Sequence, residues 1–137
     1  MLATDRKLPV VAGVEKRKYV RGLFTAIAPR YDLLNHVLSL NLDRRWRSQA
    51  IATLDWQRRP AGRYLDLCAG TLDLAAALAS APAFKGQVYG ADFVRPMLEL
   101  GRHKAVGLSP VNADALDLPF GDAVFDGATV EIGRAHV

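Results

Sequence analysis

The stretch from Tyr64 to Asp73, YLDLCAGTLD, constrains the fold more than any other part of the chain. A short apolar run leads into small residues and then into a segment rich in Ala and Leu, which predicts a strand, a tight turn and a helix. Such a unit opens a nucleotide-binding sheet, where the turn backbone lies against the ligand and the helix N-terminus offers free N–H groups. The turn has one glycine, Gly70, whereas the dinucleotide fingerprint G-x-G-x-x-G has three. We therefore expect a different adenosine-containing ligand.

The segments after this turn alternate between helix and strand. The pattern predicts a helix over 72–81, a strand over 87–91 that ends at Asp92, and a helix that begins near Pro96 and ends before Gly107. A short strand around Val111 and a strand within 123–130 complete the series. Because strands alternate with helices, the predicted fold class is α/β with a parallel sheet and right-handed crossovers, of which four strands are present.

About 60 helical residues precede the first strand. The spacing of Val20, Leu23, Phe24 and Ile27 predicts an amphipathic helix that ends near Ala28, before Pro29. Two further helices are predicted, one capped by Asp32 and one by Asn41 or Asp43. The last of them would present one side made of Trp46, Ala50, Thr53 and Leu54. We therefore divide the chain into an N-terminal helical region, 1–60, and a partial ligand-binding α/β domain, 61–130.

Charge is distributed unevenly along the 137 residues. Residues 1–59 carry twelve Lys and Arg against five Asp and Glu, whereas the rest of the chain has an acidic excess. A basic helical region is either a solvated surface or a surface for anionic lipid headgroups, and we rank lipid above nucleic acid because no RNA-binding signature is present. Cys68 is expected to be a buried, inert thiol in the first strand. No metal site is expected, since no Cys/His spacing suggests zinc.

Three acidic residues fall at the ends of successive predicted strands. Asp92, 22 positions after Gly70, can accept both ribose hydroxyls of an adenosine, and Asp114 can accept the adenine amine while the Ala115 N–H donates to the ring. Asp66 can orient the turn or meet the ligand's amino group through water. Each acid alone could be a helix cap or a solvated loop residue, but the three together favour S-adenosylmethionine (SAM). The Thr71 hydroxyl could contact the methionine carboxylate of SAM or cap the helix.

Four stretches resemble the ubiquinone/menaquinone biosynthesis C-methyltransferase family, whose members include demethylmenaquinone methyltransferases. The helical signature LFTAIAPRYDLLNH over 23–36 is the specific one, and it continues at Ser39-Leu40 and Arg45-Trp46-Arg47. Residues 65–73, 89–97 and 114–126 match the SAM loop and the later strands. The resemblance implies a Rossmann-like class I SAM-dependent methyltransferase fold. If the family's cofactor contacts are assigned to the matching positions of this sequence, the cofactor-binding residues would be Gly70, Thr71, Asp92, Asp114 and Ala115.

Two departures from the family pattern stand out. Leu72 replaces a glycine that many members carry, and this substitution need not harm cofactor binding if the residue already has helical φ and ψ. After Val130 the family continues with a Phe-Gly step, Arg-Asn-Val and about half a domain more, whereas this chain reads EIGRAHV. Those seven residues also match the translation of a common sequencing adapter. We therefore expect 131–137 to be a non-native tail on a truncated chain that is poorly stable and inactive by itself.

The resemblance implies direct transfer of the SAM methyl group to a ring carbon of a demethylquinol. The enzyme need only hold the carbon and the methyl group in line and exclude water. Tyr31, Asp32 and His36 are candidate bases, and we assign the catalytic role to none of them. The leader helices would form a lid and a passage for the lipophilic quinol, with their basic faces in peripheral contact with the inner face of the membrane from the cytoplasm.

Two alternatives remain open from the sequence. The first is a class I methyltransferase for another small molecule or for RNA. The second is an oxidoreductase or a noncatalytic nucleotide-binding module, against which the single-glycine turn argues. Preference for SAM over NAD in a thermal shift assay would separate the second alternative from a methyltransferase.

Overall fold

In a computed structural model, the backbone is described for residues 13–39 and 42–130, and side chains for 14–30 and 44–130. Two helices precede the sheet, strands then alternate with helices as far as β3, and a loop connects β3 to β4. The elements are α1 (Gly13–Ser39), α2 (Leu42–Thr53), a 3-10 turn (Trp56–Arg58), β1 (Arg63–Leu67), α3 (Asp73–Ala79), β2 (Gln87–Asp92), α4 (Arg95–Gly101), β3 (Leu108–Asn112) and β4 (Gly127–Val130). The predicted tail over 131–137 lies outside the described residues.

The four strands form one sheet in the order β3-β2-β1-β4, and every neighbouring pair is parallel. Leu67 lies opposite Ala91 on one side and Val130 on the other, while Asp92 lies opposite Asn112. The carboxyl ends of all four strands therefore meet at one edge of the sheet. This arrangement confirms the predicted α/β fold class, and it places the ends of β1, β2 and β3 where open α/β folds bind ligands.

The two faces of the sheet are covered differently. The connections from β1 to β2 and from β2 to β3 advance in one direction, so right-handed crossovers put α3 and α4 on the same face. The main core lies there, made of Trp56, Tyr64, Ala69, Leu72, Ala75, Leu78, Val88 and Leu98. On the other face, Tyr89 packs edge-to-face against Phe120 and Phe125 of the β3–β4 loop, at centroid distances of 5.8 and 5.5 Å. Alternation along β2 explains why Val88 and Tyr89 serve opposite faces.

The predicted end of the first helix at Pro29 is wrong. Helix α1 runs without interruption from Gly13 to Ser39 with Pro29 inside it, so the separate helix capped by Asp32 does not exist. Proline in a helix interior lacks an N–H donor and costs about 3 kcal/mol. Packing beside the proline helps to offset that cost, because the neighbouring Ala28 is buried against Val94 and Met97 of the α/β domain.

The residues predicted to share one side of the next helix, now α2, do not form one buried face. Trp46 is 59% exposed and Thr53 is exposed, whereas Ile51 and Leu54 of α2 pack against the main core. Trp56, from the 3-10 turn after α2, enters the core, where Tyr64 is also buried.

Candidate cofactor site at the carboxyl edge of the sheet

The turn between β1 and α3 is built from residues with left-handed backbone conformations. Cys68, Gly70 and Leu72 have φ values of 56°, 55° and 66°. The Leu72 N–H donates to the Ala69 carbonyl at 2.9 Å, which closes the turn. Only glycine adopts this region without steric cost, so two side chains here are held in an unfavourable backbone conformation. The helical backbone expected at Leu72 is therefore not observed, because its φ and ψ of 66° and 24° are left-handed.

The prediction that Cys68 is a buried strand residue is wrong. Strand β1 ends at Leu67, and the turn of the backbone leaves the Cys68 side chain exposed at the ligand edge of the sheet. Partial desolvation raises the pKa of the Cys68 thiol, and the nearby carboxylates of Asp92 and Asp66 raise it further. The thiol is therefore accessible but less ionised at neutral pH than a free cysteine.

Asp92 joins the turn to the end of β2. Its Oδ2 accepts the Gly70 N–H at 2.9 Å, and its Oδ1 accepts the Val94 N–H at 2.8 Å. Bonds from two backbone donors fix the orientation of the carboxylate, and each oxygen has a second lone pair that a ligand hydroxyl can use. Gly70 and Asp92, both predicted cofactor residues, are thus in direct contact, and the carboxylate keeps lone pairs that ligand hydroxyls can use.

Thr71 and Asp66 lie deeper than expected for ligand contacts. Thr71 is 3% exposed and Asp66 is 1% exposed. The Asp66 Oδ1 accepts the hydroxyl hydrogen of Thr129, on β4, at 2.7 Å. Asp66 therefore ties β1 to β4 within the sheet. Its contact with a ligand amino group through water and the bond from Thr71 to a methionine carboxylate both stay predictions.

Asp114 and Ala115 lie in the loop after β3, as predicted. The Ala113 N–H donates to the Asp92 carbonyl at 3.0 Å, which holds this loop beside the end of β2. The Asp114 Oδ1 accepts the Leu116 N–H at 2.9 Å, and Ala115 between them is exposed. The structure thus places Asp92, Asp114 and Ala115 along one edge, as a ribose and an adenine ring side by side would require.

Helix α1 crosses this edge, and sequence reasoning did not identify the residues that hold it there. Arg17 Nη1 lies 3.2 Å from Asp114 Oδ2, and the Arg21 guanidinium lies 5.8 Å from the centroid of the Phe93 ring. Further along α1, Ala28 and Phe24 pack against Val94 and Met97. These four α1 residues recur at helical spacing on one face. The spacing of these four residues can be read from the sequence. However, two of them are arginines, so a search for apolar residues at helical spacing finds the pattern around Leu23 instead.

Asp73, the last residue of the predicted SAM loop, holds neighbouring elements together. Its Oδ2 lies 3.1 Å from Arg47 Nη1 of α2, and its Oδ1 accepts a hydrogen bond from the Lys104 Nζ at 2.6 Å. Both cations are largely buried, with 14% and 26% of their side chains exposed. Asp73 therefore fixes the start of α3, and with it the turn, relative to α2 and the segment after α4.

The candidate bases Tyr31, Asp32 and His36 lie on the backbone of α1, but their side chains are outside the described set. The proposed catalytic involvement of these three residues stays a prediction. Within the described residues, no helix is long and apolar enough to span a bilayer.

The sheet order, the tight turn after β1 and the acids at the ends of β2 and β3 define a Rossmann-like domain of the class I methyltransferase type. A chain of the solved complex between the Haloferax volcanii Trm112 methyltransferase activator and a methyltransferase superposes with a TM-score of 0.59 and 26% identity, over 78% of this chain and 46% of that one. The profile of the ubiE/COQ5 methyltransferase family matches residues 12–137. The chain belongs to this family, which confirms the resemblance read from the sequence.

Individual relatives agree with the family assignment. Demethylmenaquinone methyltransferase of Thermus thermophilus is 48% identical over 116 aligned positions, and the alignment covers 81% of this chain and 51% of that protein. Ubiquinone/menaquinone biosynthesis C-methyltransferase UbiE of Geobacter sulfurreducens is 36% identical over 139 aligned positions, 97% of this chain and 54% of that protein. The chain spans about half the length of these curated relatives.

Proposed function

We propose that the protein formed by this chain is a SAM-dependent C-methyltransferase that acts on a demethylquinol in menaquinone or ubiquinone biosynthesis. The observation that carries the proposal is the Asp92 carboxylate, held by the Gly70 and Val94 N–H groups at the edge where class I methyltransferases bind their cofactor. The names of the relatives supply the reaction and the substrate class.

The residues at the edge suit the parts of SAM. Asp92 would accept the ribose hydroxyls, Asp114 the adenine amine, and the Ala115 N–H would donate to the ring. The backbone at Gly70, with φ 55°, would approach the amino acid portion closely because no Cβ intervenes. Thr71 would support the turn from its buried position.

The methyl group of the SAM sulfonium is electrophilic, and a quinol ring carbon beside a hydroxyl is nucleophilic. The protein's part is to bind the quinol in line with the methyl group and to exclude water, which is worth several kcal/mol in such transfers. Helix α1 lies across the edge through Phe24 and Ala28, and it would serve as the wall that excludes water.

Equilibrium dialysis with radiolabelled SAM tests the cofactor assignment. We expect saturable binding that NAD does not displace, and a loss of about ten- to a hundredfold in affinity for Asp92→Asn, because hydrogen bonds to a charged group are worth about 1.5–3 kcal/mol. Asp122→Asn, at an exposed position of the β3–β4 loop, is the matched control and should bind normally. Equal affinity in the Asp92 variant would contradict the assignment.

A chimera tests the reaction. Residues 12–130 would replace the corresponding segment of the Thermus thermophilus enzyme. The alignment covers 81% of this chain but only 51% of the relative, so the relative supplies the rest of the protein. We expect methyl transfer from labelled SAM to demethylmenaquinol, and none when the chimera carries Asp92→Ala. Methylation of RNA or of another small molecule, without methylation of the quinol, would refute the substrate class.

We also propose that the outer surface of α1 contacts anionic lipid on the cytoplasmic side of a membrane, where a lipophilic quinol resides. Tyr19 and Leu23, four positions apart, are 73% and 49% exposed, and the exposed cations Lys16, Lys18 and Arg30 lie on the same helix. Exposed apolar groups flanked by cations are typical of helices that lie on a bilayer.

Vesicle cosedimentation tests this contact. We expect the chain to bind vesicles that contain phosphatidylglycerol, to bind pure phosphatidylcholine poorly, and to lose binding with Tyr19→Ser and Leu23→Ser combined. The control is Val106→Ser, which removes an exposed apolar side chain, 94% exposed, at a site distant in sequence from α1. Unchanged binding of the α1 variant would exclude this surface.

A further inference from the structure

The acid proposed to recognise adenine already has a partner from α1. Asp114 accepts the Leu116 N–H through Oδ1, and its Oδ2 lies 3.2 Å from Arg17 Nη1. An adenine amine and the Arg17 guanidinium are both hydrogen-bond donors, and both are suited to the same carboxylate oxygen. Oδ2 has two lone pairs, so the two donors exclude each other only if the guanidinium, 3.2 Å away, and the adenine ring need the same space beside this oxygen. That exclusion is part of the proposal below, and the affinity measurement decides it.

The two ends of this part of α1 are attached with different strength. Eleven residues, about 16 Å of helix, separate Arg17 from Ala28. Ala28 is 3% exposed and packs with Val94 and Met97, whereas the Arg17 and Asp114 side chains are 55% and 35% exposed. Between them lies the Arg21 contact with the Phe93 ring. An exposed ion pair is worth little and is readily exchanged, so the Arg17 end can detach while the Ala28 end stays packed.

We propose that Arg17 is a latch: it closes the N-terminal part of α1 over the site by pairing with Asp114, and the nucleobase of the cofactor releases it by taking its place. This inference rests on the proposed function, because it assigns the regulation of the same site. The closed state covers the carboxyl edge of the sheet in the absence of cofactor. Binding of the cofactor and opening of the first turns of α1 are then one coupled step.

Affinity measurements give the first test. Arg17→Gln removes the competitor, so we expect SAM to bind about two- to fivefold more tightly, the range that an exposed ion pair of this kind is worth. Lys18→Gln removes the same charge from the next position of the helix and should leave the affinity near that of the wild type. Equal or weaker binding by Arg17→Gln overturns the latch, since Arg17 would then contribute nothing or would contact the ligand favourably.

Trypsin cleavage of the full chain gives a second test that does not depend on cofactor binding. Without ligand, cleavage after Lys16 and Lys18 should be several-fold faster in Arg17→Gln than in the wild type, because the first turns of α1 are no longer held. Circular dichroism confirms that the variant is folded. Equal ligand-free rates overturn the latch whether or not SAM binds.

The effect of SAM on cleavage separates the two proposals. Saturating SAM should raise the wild-type cleavage rate toward that of Arg17→Gln, and protection of Lys16 and Lys18 by SAM would overturn the latch. If dialysis shows that neither protein retains SAM while the ligand-free rates differ as expected, the pairing of Arg17 with Asp114 stands. In that case the proposed cofactor function is what fails.

Discussion

Replacing Leu72 should reverse the usual order of alanine and glycine substitutions. Leu72 is fully buried in the main core, yet its backbone is left-handed, with φ 66° and ψ 24°. Glycine relieves the steric cost of this conformation, about 1–2 kcal/mol, whereas alanine retains it. Both variants lose a buried leucine side chain, which costs about 2–5 kcal/mol.

The difference between the two variants can be estimated from these terms. Relative to alanine at position 72, glycine raises the free energy of unfolding by about 1–2 kcal/mol because it relieves the backbone strain. It also lowers the free energy of unfolding by about 0.4–1 kcal/mol because it increases the entropy of the unfolded chain. We therefore expect Leu72→Gly to be about 0.5–1 kcal/mol less destabilising than Leu72→Ala. At Leu74, which is equally buried but lies within α3, glycine should be about 1 kcal/mol more destabilising than alanine.

Urea denaturation of the four variants measures the contrast, with equal slopes as the condition for comparing free energies of unfolding. A second-site test follows from the neighbours of Leu72. A Cβ at Gly90 would collide with the Leu72 Cδ2, whereas a Cβ at Gly101 would collide with the backbone carbonyl of Thr71. Leu72→Ala should therefore reduce the cost of Gly90→Ala but not that of Gly101→Ala. If glycine is worse than alanine at both 72 and 74 by the same margin, the strain argument is refuted.

Three further predictions concern single groups. The pKa of Asp126 is lowered mainly by a hydrogen bond that its carboxylate accepts from the Arg63 N–H. The ionised carboxylate therefore stabilises the fold above the ordinary aspartate pKa of about 4, and this stabilisation is lost as the pH falls through the lower pKa of the folded state. Asp126→Asn should flatten the dependence of stability on pH in that acid range, which thermal unfolding measures. Cys68 should react with iodoacetamide without denaturant, with a pH midpoint above that of the urea-unfolded chain, because its pKa is raised; a lower midpoint would contradict this. Thr129→Val should cost about 1–3 kcal/mol in free energy of unfolding, since it removes the hydrogen-bond donor to the buried Asp66 carboxylate. A loss below about 0.5 kcal/mol would contradict that role.

The strands, their parallel pairing and the acids at their ends could be predicted because each depends on a local signal, whereas the strand order β3-β2-β1-β4 was learned from the structure. Short apolar runs bounded by glycine and proline locate β1 and β2, and alternation with helices implies a parallel sheet. Asp92 was predictable because the last residue of β2 has to lie at the ligand edge. The partners of its carboxylate were not predictable, since they are backbone groups whose positions depend on the turn.

The turn was predicted in place but not in conformation. Glycine is the usual sequence signal for positive φ, and at Cys68 and Leu72 a side chain stands where that signal would be. The sequence therefore suggested a strand residue at Cys68 and an ordinary helical residue at Leu72. Tertiary packing decides the outcome: Leu72 fills the space above Gly90 and Gly101, and this burial compensates for an unfavourable backbone.

Helix α1 was mispredicted for a related reason, because proline is a strong local signal and contacts between distant elements are not visible in a local pattern. The burial of Ala28 keeps the chain helical through Pro29, and the ion pair of Arg17 with Asp114 spans almost a hundred positions of sequence. Docking of α1 depends on residues that are individually ordinary. Only their shared helical spacing indicates a common face.

The two carboxylates proposed to bind the cofactor are held in different ways, and this difference bears on how the site works. Backbone N–H groups of Gly70 and Val94 fix Asp92, so the carboxylate proposed to bind the ribose is oriented before any ligand arrives. Asp114 is shared between one backbone N–H and an exposed arginine, so the adenine position depends on a side chain that can leave. A site with one preorganised half and one exchangeable half can accept the cofactor at the ribose first and open α1 second. If that order holds, a ribose-only ligand should bind without releasing α1, whereas adenosine should release it.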